Sequence, residues 1–218
     1  LLARIVWGGR ISLSVGLVSA VLVVALGLLF GALAGFYGGA ADFLVSRAVE
    51  VLESIPTLFL VLTAAALVPE EALHPMLAIV LVIALVGWTA VARLVRGEVL
   101  RLREQEFVLA ARALGLPSGL VLARHVLPAA LGPVLVAGAF AVASGVLLES
   151  AVSFLGFGVR LPFPSWGALI DEPGYWWIQL FPGLLIFVTV VCTNVLGASA
   201  RARLDPRGAA SAARRCRS

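Results

Sequence analysis

Five apolar blocks, at residues 12–36, 54–69, 75–95, 127–149 and 177–199, restrict what this chain can fold into more than any other feature. A helix needs about 20 residues to cross the hydrocarbon core of a bilayer, and four of the five blocks reach that length. In lipid the backbone must satisfy its own hydrogen bonds, so the blocks read as transmembrane helices. Composition agrees, with 61% of the 218 residues hydrophobic and only 13% charged, about half the charge of a soluble domain. The expected fold class is all-α, a polytopic transmembrane helical bundle forming one domain over residues 1–218.

The first block places Gly27, Gly31 and Gly35 four residues apart on one helix face. Such spacing either admits a neighbouring helix at close range or reflects the general glycine content of membrane helices. The second block is short and begins beside Pro56, after Glu53 and Ser54. It is expected to be tilted and broken, or to extend back towards Val49. A loop from Pro69-Glu70-Glu71 to Pro75 then leads into the third block.

All sixteen basic residues are arginine. Without lysine the chain has no ordinary phosphate-binding P-loop and no Schiff-base chemistry. The arginines flank apolar blocks, which points to membrane topology and away from nucleic acid. If five spans alternate sides, Arg47, Arg93, Arg96, Arg101, Arg103, Arg112, Arg124, Arg201, Arg203, Arg207, Arg214, Arg215 and Arg217 share one side. Arg4, Arg10 and Arg160 occupy the other. The positive-inside rule then puts residues 96–126 and the tail 200–218 in the cytoplasm. That arrangement leaves Leu1 outside, so a sixth, preceding span is expected. Cys192 lies in the last apolar block and Cys216 in the tail, which indicates neither a disulfide framework nor a metal cluster, and the widely separated His74 and His125 make no metal site.

Between the third and fourth blocks, Arg93 to Pro128 holds six arginines, three glutamates and a histidine. From Glu104 the pattern turns amphipathic, with Phe107, Ala111 and Leu114 at helical spacing and Arg103, Glu106 and Arg112 on the other faces. Gly115 can stop that helix, and Pro117 can open a second short one towards Arg124. Small side chains at Ala110, Ala111 and Ala113 suit entry into a groove on a soluble partner, with arginines beside it for carboxylates. The same amphipathicity also suits a helix resting on lipid headgroups.

The order Ala110-Ala111, Gly115, Leu127-Pro128 resembles the EAA loop of ABC importer permeases. The run REQEFVLAARALG…RHVLP is similar to the peptide/nickel permease family in particular. Further pieces carry the likeness along nearly the whole chain: GGRISLSVGL, VGWTAVARLVRGEVL, ESAVSFLGFGV, PSWG at 164–167, FPG at 181–183, and Asn194-Val195-Leu196-Gly197 before LDPR at 204–207. The resemblance implies a six-helix permease whose first helix is absent here. It further implies a second permease subunit, two cytoplasmic ATPase subunits that hold the Mg-ATP, and an extracytoplasmic solute-binding protein. This chain would carry no cofactor, metal or catalytic residue of its own. Glu106, Ala110, Ala111, Gly115, Pro117, Leu127 and Pro128 would form the ATPase-coupling loop, and a bulky charge at Ala111 would break it. Departures from the family pattern are Leu109 for the usual glutamate, Ala129 for asparagine, Ala198 and Ala202 for aspartates, and a shortened segment between Trp166 and Phe181.

The glycine- and aromatic-rich stretch from Ser150 to Trp176 is expected to face the binding protein, with Trp166, Trp176 and Trp177 as interfacial anchors. Asp171 and Glu172 there are open to a partner contact or to solvation. Glu149 and Asn194 are polar residues near span ends, and neither is assigned to substrate; His125 is placed on the loop surface. A channel or ion-coupled carrier would need no docking loop and would carry more intramembrane charge. A membrane scaffold without transport is the other alternative. Among substrates for an importer, di- and oligopeptides lead and nickel is the main competitor.

Overall fold

Helix α1, Leu2–Tyr37, packs inside out. It buries small residues, among them Gly8, Gly9, Ser12, Gly16, Ser19, Gly27, Gly31 and Gly35, and exposes Leu13, Leu17, Val21 and Leu29. That is the arrangement expected in a bilayer, where large apolar side chains can remain in lipid and small ones let backbones meet. The computed structural model describes residues 2–67, 74–158 and 164–204, and every regular element among them is helical.

The long helix α4, Pro75–Leu102, lies along α1. A Cβ built at Gly27 would stand 2.6 Å from Val91, one at Gly31 would collide with the Ala92 carbonyl, and one at Gly35 would lie 2.8 Å from the Arg96 carbonyl. The four-residue glycine spacing is therefore a helix-packing seam. Further along α1, Gly16 meets Gly145 and Val146 of α7, Leu127–Phe154, with a Cβ at Gly145 only 3.1 Å from the Gly16 carbonyl. Helix α9, Trp176–Leu204, packs on the other side of α7 and keeps most of its surface exposed.

Four helical stretches are long and apolar enough to cross a membrane: Leu2–Tyr37, Met76–Leu102, Ser118–Phe154 and Trp176–Arg203. The fifth expected span is broken. Gly38 and Gly39, at φ +67° and +55°, turn the chain out of α1 into α2, Gly39–Glu53. Pro56 forces Ile55 away from helical geometry, and α3, Thr57–Leu67, leaves at 92° to α2. With 11 residues, α3 rises only about 16 Å, roughly half a bilayer core. Val61 anchors it, packed with Val15, Ile79 and Ile83.

Helix ends differ from the apolar block ends. The third block was expected to stop at residue 95, whereas α4 continues unbroken to Leu102. Arginine and glutamate are good helix formers, so the change of polarity marks where surroundings change and not where the helix stops. The loop at Pro69-Glu70-Glu71, Arg160, and the tail from 205 on with its four arginines and Cys216 lie outside the described residues.

The seam makes a direct prediction. Gly31→Leu should force α1 from α4 and cost about 3 kcal/mol or more by overpacking, seen as loss of monodisperse protein in detergent. Gly97→Ala, where a Cβ meets nothing within 4 Å, should leave the elution profile and melting temperature unchanged.

Candidate functional site

The polar interruption folds into a small platform on one end of the bundle. Helix α4 closes at Arg103, and after a turn α5, Glu106–Ala113, begins as the Gln105 carbonyl accepts from the Val108 and Leu109 amides. Val108 is fully buried and Ala111 is 4% exposed, both packed into a cluster with Val99, Leu102, Val121, Leu122 and Val126. Ala111 therefore faces its own chain and is not offered to a partner. The expected apolar face of Phe107, Ala111 and Leu114 is split, with Phe107 exposed and Leu114 82% exposed. The helical repeat permits either stripe, and the β-branched cluster beneath selects Val108 with Ala111. Glu106, Leu109, Ala110, Ala113 and Leu114 form the outward stripe.

Gly115, at φ +80°, ends α5 in a Schellman turn. Its amide donates to the Arg112 carbonyl at 2.9 Å, and the Leu116 amide reaches the Ala111 carbonyl at 3.3 Å. Pro117 then caps α6, Ser118–Val121. The expected second short helix is not separate. It passes through a π-helical turn, Leu122–Val126, directly into α7, giving one helical stretch from Ser118 to Phe154. Pro128 has no N–H to give the Arg124 carbonyl, and the widened turn, in which the Leu127 amide donates to the Leu122 carbonyl, absorbs the defect. Leu127 is half-buried and Pro128 exposed in the first turn of α7.

Five of the six arginines in this stretch bind within the chain, which corrects the expectation that they stand ready for a partner's carboxylates. Arg96 holds Asp42 of α2 with two nitrogens, Nη2 donating to Oδ2 at 2.8 Å, and Ser46 adds a third bond to that carboxylate. Arg93 pairs with Glu53, and Arg101 with Glu98. Arg103 donates to the Gly35 carbonyl at 3.1 Å, and the Arg112 guanidinium lies 4.8 Å from the centre of the Phe36 ring. These contacts tie α5 and the broken helix pair to the ends of α1 and α4. No spacing in the sequence could have joined Asp42 to Arg96 across 54 residues.

A groove of about 910 Å³ opens between α1, α4, α7 and α9. Small or apolar residues such as Val23, Gly87, Ala137 and Leu148 line most of it; Glu98, Arg101 and Arg201 lie at the arginine-rich end. At the opposite end, α8, Trp166–Asp171, closes down on α1. Trp166 is 5% exposed, sits on Gly9, and donates from Nε1 to the Ile5 carbonyl at 3.0 Å, while its amide donates to Ser12 Oγ at 3.1 Å. It is thus a packing residue and not an interfacial anchor; Trp176 and Trp177, exposed at the start of α9, remain in positions that suit an interface. Glu172 pairs with Arg4 at 2.7 Å. Glu149 is fully buried within the protein and accepts from Ser153 Oγ at 2.7 Å. Asn194 and His125 are half-buried.

A bundle of membrane-length helices with a solute-sized groove and a rigid platform at one end is the architecture of a transporter permease. Residues 27–208 match the family model of the binding-protein-dependent transport system inner membrane component, and the chain belongs to that family. It is 37% identical to the oligopeptide transport system permease protein OppC of Haemophilus influenzae over 95% of this chain and 67% of that protein. To the dipeptide transport system permease protein DppC of Bacillus subtilis it is 34% identical, over 92% of this chain and 63% of that one. The chain thus spans about two thirds of the length of these curated relatives. In fold it is similar to a chain of the MetNI methionine ABC transporter in its inward-facing conformation, with a TM-score of 0.71 and 20% identity over 92% of this chain and 96% of that one.

Two substitutions separate the faces of the platform. Ala111→Arg should unfold the α5 region itself, exposing amides of residues 106–113 to rapid hydrogen exchange. Gly115→Ala, strained in the left-handed region, should cost roughly 1–2 kcal/mol and raise exchange only around Leu114–Leu116.

Proposed function

We propose that this chain is a permease subunit of an ATP-driven ABC importer for di- and oligopeptides. The observation that carries the reading is the outward stripe of α5, a short apolar ridge held on a rigid base in a member of this permease family. Its relatives' names, oligopeptide and dipeptide transport permeases, support the substrate class. The arginine-rich end faces the cytoplasm, in keeping with the arginine bias. A second permease subunit completes the pathway opposite the groove, a binding protein delivers solute at the end closed by α8, and two ATPase subunits hold and hydrolyse the nucleotide.

In this reading α5 enters a cleft on the ATPase through Leu109, Ala110, Ala113 and Leu114. Leu109, where the family usually has glutamate, makes shape and apolar contact the main terms, with Glu106 one turn earlier as the nearby carboxylate. Closure of the ATPase pair moves α5, and the ties through Arg96, Arg103 and Arg112 carry that motion into α1, α2 and α4. ATP binding then shifts the population between outward- and inward-open states because the ATPase binds the two differently.

Leu114→Asp places a charge on the exposed ridge without touching the core. It should reduce co-purification of the ATPase roughly tenfold or more, as expected for loss of a central interface anchor, with helicity and melting temperature preserved. Retention of the ATPase and of peptide uptake in that variant would sink the docking role.

A further inference from the structure

The groove has an uneven distribution of charge. Its charged lining residues, Glu98 and Arg101 from α4 and Arg201 from α9, all belong to the arginine-rich end. Arg101 is held by Glu98, with Nε 3.2 Å from Oε2. Arg201 makes no ion pair among the described residues. Topology alone explains an arginine near a membrane surface, but it does not explain why two helices a hundred residues apart in sequence each contribute an arginine to the lining of one groove.

A second feature lies beside them. Pro133 stands inside α7 and has no N–H, so the Ala129 carbonyl one turn earlier lacks its helical donor. Both residues line the same groove. The mouth therefore offers guanidinium donors together with a backbone acceptor, set in walls with little else to bond. That set is complementary to the end of a peptide chain: a carboxylate for the guanidinium fork and an amide N–H for the carbonyl. The apolar lining above has few groups with which to discriminate between side chains.

We infer that Arg201, with Arg101, forms a carboxylate-binding subsite at the inner mouth of the groove, occupied by the C-terminal carboxylate of a peptide before its release. The incoming carboxylate competes with Glu98 for Arg101 and meets Arg201 directly. Glu98 recaptures Arg101 on release, which keeps the subsite from holding its ligand tightly. This assignment rests on the peptide reading given above.

The test uses the complete transporter complex in nanodiscs, without nucleotide or binding protein, titrated with trialanine and with trialanine amide. Trialanine should bind roughly three- to tenfold more tightly than its amide, the modest factor expected for a solvated charge-assisted contact. Arg201→Ala should remove the difference, Arg201→Lys should keep most of it, and Arg201→Glu should invert it. Equal binding of acid and amide by the unaltered complex, no binding of either, or a preference that survives Arg201→Ala would each overturn the subsite. Uptake by the unaltered complex separates the two readings. If it imports no peptide yet retains the Arg201-dependent preference, the peptide reading fails, while the carboxylate subsite stands.

Discussion

Contact between the backbones of α1 and α4 is the constraint on which the rest of the bundle depends. In water, two helices associate because their apolar faces leave solvent. Lipid offers no such gain, so association must come from dispersion and from contacts that only near-touching backbones allow. Gly27, Gly31 and Gly35 bring α1 onto Val91, Ala92 and Arg96, and Gly16 brings the same helix onto Gly145 of α7. One helix thereby sets the positions of two others, and the groove is the space left where α9 closes only part of the circuit.

The charged residues follow from that packing. A close seam carries α1 and α4 side by side to the arginine-rich end, where the Gly35 carbonyl is within reach of Arg103 and Phe36 of Arg112. A half-exposed pair such as Asp42–Arg96 adds little stability in isolation. Its value here is geometric, since a two-nitrogen fork fixes direction as well as distance. With α2 held to α4 in this way, the 92° elbow before α3 has a fixed base. Arg93, Arg96, Arg103 and Arg112, which help give the chain its charge asymmetry, are consumed in shaping it.

Much of this was legible in the sequence, and the failures have physical causes. Apolar length identified the long helices because that signal is local, whereas the glycine period left a seam and mere glycine richness both open until Val91, Ala92 and Arg96 were seen against it. Pro56 announced the break in the second span without saying that α2 would pack on Trp88 and Ala92 of α4. The division of the platform into α5 and a following helix was legible from Gly115 and Pro117. Its orientation was not, because Phe107-Ala111-Leu114 and Val108-Ala111 satisfy helical spacing equally, and only the cluster below decides between them. Trp166 was read as an interfacial anchor because tryptophan is common at headgroup depth. Its actual place depends on Gly9 and Ser12, more than 150 residues earlier. The groove, built from four helices, has no signature in any one segment.

Helix α4 is where these separate features become one device. It forms the seam with α1, supplies part of the groove wall, carries Arg96 to α2, and continues past the apolar block to the turn that starts α5. Had the helix ended where its hydrophobicity ends, near residue 95, α5 would hang on a flexible connection and its movement would dissipate there. The extra turns through Leu102, buried by Val99 and Leu102 against the platform core, make loop and span a single lever. In the proposed reading the power stroke arrives at α5. It acts on the groove because α4 is both the handle's shaft and the pathway's wall, so force and opening are coupled without a separate transmitting element.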